Sequence, residues 1–310
     1  MNAPEPAAAS PRKAYLLVSA GSFCISFTAL FVREAAMDPT MVAFYRMFFG
    51  GIALLTFALA RRDRIVPSLA MLRVFGPAGI FLALDLGFWH GSIVRLGPGL
   101  ASIIGNFQVF FLALHGALFL GERLSLRYKI AVPLALLGLF LLVELNPTDL
   151  PPHIATGIVL GLVAAVFYTC YILRLRTSLM LQEHLSPVAN MALISFITAT
   201  SVGLYCGARG ISFAIPDMET GLTLAALGVL CQAVGWVLLS FGLPLLPPSR
   251  AGLIMLTQPT FAFIWDILFC GRVTGVVGYI GAATAIFAIW LGVSGSSKKG
   301  KTAPVKAGRA

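Results

Sequence analysis

Apolar runs of about 20 residues follow one another along the whole chain, and they limit its possible folds more than any other feature of the sequence. A helix of about 20 residues is long enough to cross the roughly 30 Å hydrocarbon core of a bilayer. Only 11% of the 310 residues are charged, whereas soluble domains contain about 25%. A soluble fold would lack polar surface, so we expect an all-α integral membrane protein.

Ten spans are predicted, and they are joined by short connections that leave room only for neighbouring helices in one compact bundle. The cytoplasmic tails are 1–13 and 294–310, and residues 1–11 and 294–310 have too little apolar surface to fold and are expected to be disordered. The first run follows Arg12 and Lys13 as in a signal sequence, but it is too long for one and lacks a cleavage site, so it is expected to remain in the mature protein. The predicted spans are 14–32, 40–60, 71–92, 97–120, 129–144, 155–173, 187–207, 221–241, 250–270 and 274–293.

An internal repeat organises these spans. Residues 96–123 recur in degraded form as residues 246–273, at an offset of 150 without a gap. We therefore predict a first five-helix repeat over 14–145 and a second over 146–293. Because five is an odd number, the second copy must cross the membrane in the reverse sense, which is the inverted-repeat plan of many secondary transporters. The matched pairs include Pro98 and Pro248, Ala101 and Ala251, Gln108 and Gln258, and Gly121 and Gly271.

The basic residues predict the topology. Of the 22 Lys and Arg residues, 17 fall on the side that holds the N-terminus, 4 fall on the opposite side, and Arg46 lies inside a span. This asymmetry places both termini in the cytoplasm, as expected of a multi-pass inner-membrane protein. The net charge of +10 does not predict nucleic-acid binding, because the basic residues lie between apolar runs rather than on one face of a domain.

Polar residues inside the spans are candidates for a substrate site, because polar groups in hydrocarbon need a partner or a water-filled cavity. Asp85 and Trp89 share a face of the third span, and Asp85 either binds an ammonium group or a proton, or bonds a neighbouring helix. Asp85 and Asp266 are the acids placed well inside spans and are candidates for proton coupling. The candidate substrate-binding residues are Asp85, Trp89, Ser102, Asn106, Gln108, Tyr168, Tyr171, Gln232, Trp236 and Gln258.

Each candidate has a structural alternative. The amides of Gln108 and Gln258 either face each other across the repeat axis or tie each helix to its own half, and the aromatic residues could simply pack. Arg46 and Glu122 are interpreted as structural: Arg46 pairs with an acid or with helix-end carbonyls, although it could bind an anion, and Glu122 forms a boundary salt bridge or a cap. The amides and aromatics suit a small, partly apolar ligand.

No cofactor or metal ion is expected. The five cysteines lie in apolar runs without a CxxC spacing and are interpreted as packing residues. Sequence patterns of membrane-embedded hydrolases, such as Gly-x-Ser-x-Gly or His-Glu-x-x-His, do not occur in the chain, which makes an enzyme a remote alternative.

The chain resembles the drug/metabolite transporter superfamily, and within it the EamA-type ten-helix exporters. The resemblance covers nearly everything between the tails. It includes two copies of five spans, the arginine of the second span (Arg46), and the segment from Leu-Gly-Pro-Gly-Leu-Ala at 96–101 to Phe-Leu-Gly-Glu-Arg at 119–123. The second copy departs from the pattern, with Cys-Gly-Arg at 270–272 where the family often keeps an acid.

The chain looks like the YddG-type amino acid exporters of this group. The resemblance implies outward passage of aromatic and other neutral amino acids through a central cavity walled by the first, third, fourth, sixth, eighth and ninth spans. We expect alternating access around a midplane site. The alternatives are export of another small metabolite or drug and, less in keeping with a single intramembrane arginine, transport of a nucleotide sugar or phosphate.

Overall fold

Ten helical spans make up the protein, as the apolar runs predict. The computed structural model describes residues 11–35, 37–65, 69–143, 153–180, 186–271 and 273–294, and within those ranges it contains helices and no strand. Most of both predicted tails, and most of the segment that joins the two repeats, lie outside the described residues. The spans, numbered in chain order, are Arg12–Ala35, Pro39–Ala60, Phe75–Leu96, Leu100–Phe119, Leu126–Val143, Ile154–Met180, Pro187–Ala208, Met218–Leu245, Pro248–Phe269 and Val276–Ser294.

The second and seventh spans show how closely the two repeats match. Each is a helix of 22 residues that begins with proline at its first position. The side chain of Asp38 accepts hydrogen bonds from the N–H groups of Thr40 and Met41, and the Ser186 hydroxyl accepts one from Ala189. Proline lacks the N–H that a first-turn residue would leave unpaired, so both starts are favourable.

The third and fourth spans form a hairpin, although helical backbone is continuous over Leu69–Gly105. A Cβ atom at Gly161 would lie 2.9 Å from Ser92 Oγ and 2.7 Å from Ile104 Cγ2. In a straight helix those two residues would be about 18 Å apart. The chain therefore reverses between the two spans, around the Pro98 that the sequence repeats at Pro248.

Equivalent discontinuities interrupt the fourth and ninth spans. Helix stops at Gly105 and resumes at Gln108 in the fourth span; in the ninth, Pro248–Met255 is followed by Thr257–Cys270. The two breaks precede equivalent glutamines. Both spans end at a glycine with a φ of 63°, Gly121 and Gly271, a conformation in which a Cβ would be strained. The sequence analysis predicted neither break.

Two further spans are irregular. The first consists of the helices Pro11–Ser26 and Thr28–Ala35, and the eighth contains a π-helical stretch over Leu227–Gly235. Such irregular backbone inside a membrane protein is tolerated where it is buried in protein or lines a cavity.

Packing between spans gives a ring. The third span packs on the sixth and seventh, the second on the seventh and eighth, the first on the eighth and ninth, and the fourth on the sixth and ninth. These contacts close a ring of eight spans, while the fifth and tenth spans pair outside it. The set of pairs is unchanged when each span of the first repeat is exchanged with its counterpart in the second.

Candidate functional site

A charged and aromatic cluster lies inside the ring, on four different spans. The Arg46 guanidinium, on the second span, lies within electrostatic range of Asp85 on the third span and of Tyr168 and Tyr171 on the sixth. Trp236 of the eighth span completes the cluster, with its ring centroid 5.0 Å from that of Tyr171 and 6.2 Å from that of Tyr168. We call these five residues the central cluster.

Several polar atoms of the central cluster have no partner among the described residues. They are Arg46 Nε, the Tyr171 hydroxyl and Trp236 Nε1, and all three are buried. Among the described residues, Arg61 and Asp63 form an ion pair at 3.7 Å, whereas Arg46 and Asp85 do not form one. Buried donors normally have acceptors, so three unpaired donors around one carboxylate indicate a place for a ligand or for water.

Asp85 and Tyr168 are less completely covered than Tyr171 and Trp236. Both lie deep among protein atoms, yet each keeps an intermediate exposed fraction. By contrast, Tyr171 and Trp236 are 0% and 2% exposed and form the packed back wall. Within the central cluster, Arg46, Asp85 and Tyr168 are therefore the members that keep side-chain surface free for further contact.

Trp89, Ser102 and Asn106 lie further along the third and fourth spans. All three are half-buried. A Cβ at Gly105 would lie 3.6 Å from Trp89 Cδ1, and the Asn106 amide donates to the Ser102 carbonyl at 2.7 Å. The same carbonyl also accepts the backbone N–H of Asn106 at 3.1 Å, so the side chain adds a second hydrogen bond at the helix break.

The equivalent glutamines occupy different environments. Gln108 is 5% exposed with an unpaired Oε1, whereas Gln258 is half-buried with an unpaired Nε2. No hydrogen bond joins them in the described part of the chain. Both remain candidates for ligand contact, and the repeat does not give them the same surroundings.

Gln232 is held by protein contacts. It is fully buried, its amide donates to Ser195 Oγ of the seventh span at 3.0 Å, and its Cβ lies 2.6 Å from the point where a Cβ of Gly50 would be. These contacts tie the eighth span to the seventh and second, while the buried Oε1 of Gln232 has no partner among the described residues.

Asp266, the second predicted coupling residue, follows Trp265 on the ninth span and so lies next to an aromatic group. Its neighbour Trp265 donates from Nε1 to Ser26 Oγ at 2.8 Å and stacks on Phe27 with ring centroids 4.5 Å apart. Asp266 itself is half-buried. The first and ninth spans therefore meet through Trp265 at the point where the first span is interrupted.

Glu122 connects the two repeats rather than capping its own helix. The Ser249 hydroxyl donates to Glu122 Oε2, and Tyr128 donates from its hydroxyl to the Ser249 carbonyl at 3.0 Å. Burial raises the pKa of the Glu122 carboxyl; the Ser249 hydroxyl and the charges on Arg176 and Arg250 act against this by smaller amounts.

No cluster of three or more His, Cys, Asp or Glu side chains suited to a metal ion occurs among the described residues.

The sequence analysis interprets Arg46 as structural, with anion binding as the alternative, and does not single out Ser249. A signal for Arg46 was present, because a lone arginine well inside a span requires either an acid or a cavity. The contact of Ser249 with Glu122 joins residues 127 positions apart, and no local pattern indicates it.

A ring of membrane spans around a charged and aromatic interior, built from two matched units with interrupted helices, defines a multi-spanning membrane transporter. The profile of the EamA-like transporter family matches residues 12–144 and 155–294. The chain therefore belongs to the EamA-like transporter family.

Curated relatives agree with this membership. An uncharacterized transporter of Archaeoglobus fulgidus is 27% identical over 259 residues, covering 82% of this chain and 87% of that protein. The pseudopaline exporter CntI of Pseudomonas aeruginosa is 29% identical over 154 residues, covering 49% of this chain and 52% of the exporter. A solved structure described as "Crystal structure of protein" has a TM-score of 0.78 at 17% identity, covering 90% of this chain and 96% of its own, and it supports the fold alone.

Proposed function

We propose that this transporter exports aromatic and other neutral amino acids across the inner membrane, by alternating access around the central cluster. One observation carries the proposal: Arg46 and Asp85 present a guanidinium and a carboxyl group to the same interior without forming an ion pair with each other. An amino acid carries one carboxylate and one ammonium group, so it can occupy both residues at no net charge.

The chemistry of the cluster matches each part of such a ligand. An arginine fork suits a carboxylate, and Arg46 Nε is free to donate to one. Asp85 can accept hydrogen bonds from the ammonium group. Tyr168, Tyr171 and Trp236 provide aromatic surface for an apolar side chain. A site with a single arginine has too little positive charge for a nucleotide sugar or a phosphate.

The inverted relation of the repeats supports alternating access. Exchange of equivalent spans leaves the packed pairs unchanged, as a two-fold axis between the halves would require. Both interrupted helices have their breaks at equivalent positions, and broken helices at a midplane site are usual in transporters of this plan. With the basic residues on one side, this relation puts both termini in the cytoplasm.

A second candidate is export of a different small metabolite. The pseudopaline exporter, which is 29% identical over about half of this chain, favours it. The central cluster would serve any compound that carries both a carboxylate and an amine.

Purified protein in proteoliposomes tests the proposal. We expect uptake of radiolabelled phenylalanine that is inhibited by excess unlabelled neutral amino acids. Phenethylamine, which lacks the carboxylate, and phenylpropionate, which lacks the amine, should compete weakly, because each leaves one charge of the cluster unmatched. Failure to transport any neutral amino acid would rule out the proposed substrate and leave the second candidate.

A further inference from the structure

The contact between Glu122 and Ser249 joins the two repeats at one end of the bundle. Glu122 follows the fourth span, in the first repeat, and Ser249 lies in the first turn of the ninth span, in the second. Besides the hydroxyl of Ser249, its backbone N–H interacts with the Glu122 carboxylate. The carboxylate thus caps a helix of the other repeat, where the helix dipole and the unpaired N–H groups favour a negative charge.

Other polar groups reinforce this contact from the surrounding spans. Arg176 of the sixth span and Arg250 of the ninth interact with the charge of Glu122. Arg250 donates to the Tyr15 hydroxyl of the first span at 2.6 Å, and Arg176 donates to the Leu243 carbonyl at the end of the eighth at 3.3 Å. One connected group therefore links the ends of the first, fourth, fifth, sixth, eighth and ninth spans.

The sequence offers no copy of this contact at the opposite end. At the repeat offset of 150 residues, Glu122 corresponds to Arg272 and Ser249 corresponds to Gly99. An arginine and a glycine cannot form a carboxylate–hydroxyl pair. The contact therefore belongs to one end of the bundle only, which we call the Glu122 end.

The packing of the fourth span against the ninth differs between the two ends in the same way. At the Glu122 end, Val109, Leu112 and Gly252 are all buried, and a Cβ at Gly252 would lie only 2.8 Å from Leu112 Cδ1. Their equivalents at the other end are all half-buried. These equivalents are Pro259 for Val109, Ala262 for Leu112 and Ser102 for Gly252. The two spans therefore close on each other at the Glu122 end and separate at the other.

We propose that Glu122 and Ser249 form a one-sided latch that holds the cavity shut at the Glu122 end, and that transport requires this latch to open. The latch rests on the alternating-access part of the proposed function. In this proposal the Glu122 carboxylate and the Ser249 hydroxyl keep the closed end of the bundle closed. The opposite end is expected to close without a comparable polar contact.

A reversible cross-link tests whether the latch must open. Glu122→Cys and Ser249→Cys are introduced together after replacement of the five native cysteines, and a short bifunctional methanethiosulfonate reagent bridges them. We expect the bridged protein to lose most of its transport and to regain it when a reductant removes the bridge. The single variants, treated with the same reagent, should keep their transport; unchanged transport in the bridged protein would overturn the proposal.

A measurement without substrate separates the latch from the proposed substrate. Spin labels at Leu126 and Leu245, which are exposed on different repeats at the Glu122 end, report the width of that end. Glu122→Gln and Ser249→Ala should each add a population of longer distances. Asp217→Asn serves as a matched control, because Asp217 also caps a helix, by accepting from the Thr220 N–H at 2.7 Å, but within one repeat. If the two latch variants give the parent distances, the latch does not hold this end closed, whatever the substrate is.

Discussion

The Arg46 guanidinium is the most costly group in the central cluster to leave unmatched. Its Nε is buried without a partner, and the nearest opposing charge, on Asp85, does not reach ion-pair distance. An unsatisfied buried polar group costs about 1–3 kcal/mol, and more when it is charged. On the proposed function, the carboxylate of a bound amino acid removes this cost.

Arg46→Gln should weaken the binding of neutral amino acids by roughly 10- to 150-fold, since a hydrogen bond to a charged group contributes about 1.5–3 kcal/mol. Isothermal titration of phenylalanine against the purified protein measures the change. Phenylalanine amide, which has no carboxylate, should bind the variant and the parent equally well. Arg209→Gln, at the exposed end of the seventh span, is the control, and an equal loss for both ligands would contradict a carboxylate contact.

Glu122 and Asp217 should give stability profiles of opposite sign with pH. Burial raises the pKa of Glu122, so between the ordinary carboxyl value of about 4.3 and the raised value the unfolded chain ionises while the folded chain keeps its proton. The free energy of unfolding therefore falls with rising pH across that window and is level above it. The hydrogen bonds with Thr220 lower the pKa of Asp217, so its contribution is present above the ordinary value and is lost as the pH falls through the lowered one.

Thermal melts in detergent from pH 3 to pH 8 check both profiles. The melting temperature of the parent minus that of Glu122→Gln should fall as the pH rises and then stay constant. The same difference for Asp217→Asn should rise with pH instead. Parallel curves for the two variants would contradict the environments described for these carboxyls.

At the scale of the helices, the closest approach between the fifth and tenth spans depends on glycine. A Cβ at Gly138 would lie 2.5 Å from the backbone nitrogen of Ala285 and 2.8 Å from the carbonyl oxygen of Gly281. Backbone atoms cannot rotate away from an added methyl group as a flexible side chain can. The pair of spans outside the ring therefore relies on small residues for its contact.

Gly138→Ala should lower the free energy of unfolding by about 1–3 kcal/mol, the usual cost of overpacking. Gly207→Ala is a matched control, because no atom lies within 4 Å of its added Cβ, and alanine is the better helix former. The melting temperatures of the parent, Gly138→Ala and Gly207→Ala measure the change in stability. A stable Gly138→Ala variant would mean that the two helices can move apart without loss.

The sequence predicted the number and order of the spans, because their apolar length is a local property. It missed the breaks at Gly105–Gln108 and at Leu256, since an apolar run looks the same whether or not its helix is continuous. The predicted sixth span ended at 173 and the helix continues to Met180, because Arg174 and Arg176 resemble a boundary in sequence. Arg176 instead bonds the Leu243 carbonyl, a contact that depends on the assembled bundle.

The candidate site was partly predictable for the same reason. Asp85, Tyr168, Tyr171 and Trp236 were selected as polar or aromatic residues inside spans, and the structure brings all four together around Arg46. Gln232 matched the same criterion, yet it is fully buried against Ser195 and Gly50. Sequence shows that a polar group is inside a span but not which neighbour satisfies it.

At the scale of the whole molecule, exact two-fold symmetry would give both ends of the bundle the same packing, and the protein departs from it. Under the exchange of repeats, Val109, Leu112 and Gly252 are buried at the Glu122 end and correspond to half-buried residues at the other end, whereas Ala113 and its counterpart Phe263 are both buried. A transporter with inverted repeats can reach its second state by exchanging the conformations of its halves. On the proposed alternating-access mechanism, this departure from symmetry gives the direction in which the transport path opens in this state.

Cysteines at the equivalent positions Ala262 and Leu112 test this direction in a background without native cysteines. Ala262→Cys should react with a membrane-impermeant thiol reagent added on the side opposite the Glu122 end, because Ala262 is half-buried, whereas Leu112→Cys should stay unmodified because Leu112 is 0% exposed. Combining Leu112→Cys with Glu122→Gln should make that cysteine reactive from the Glu122 side, since the latch variant raises the population of the other state. If both single cysteines react at equal rates in the protein without the Glu122 substitution, the cavity is not closed at one end. If Leu112→Cys stays unreactive when combined with Glu122→Gln, then Glu122 is not what closes that end.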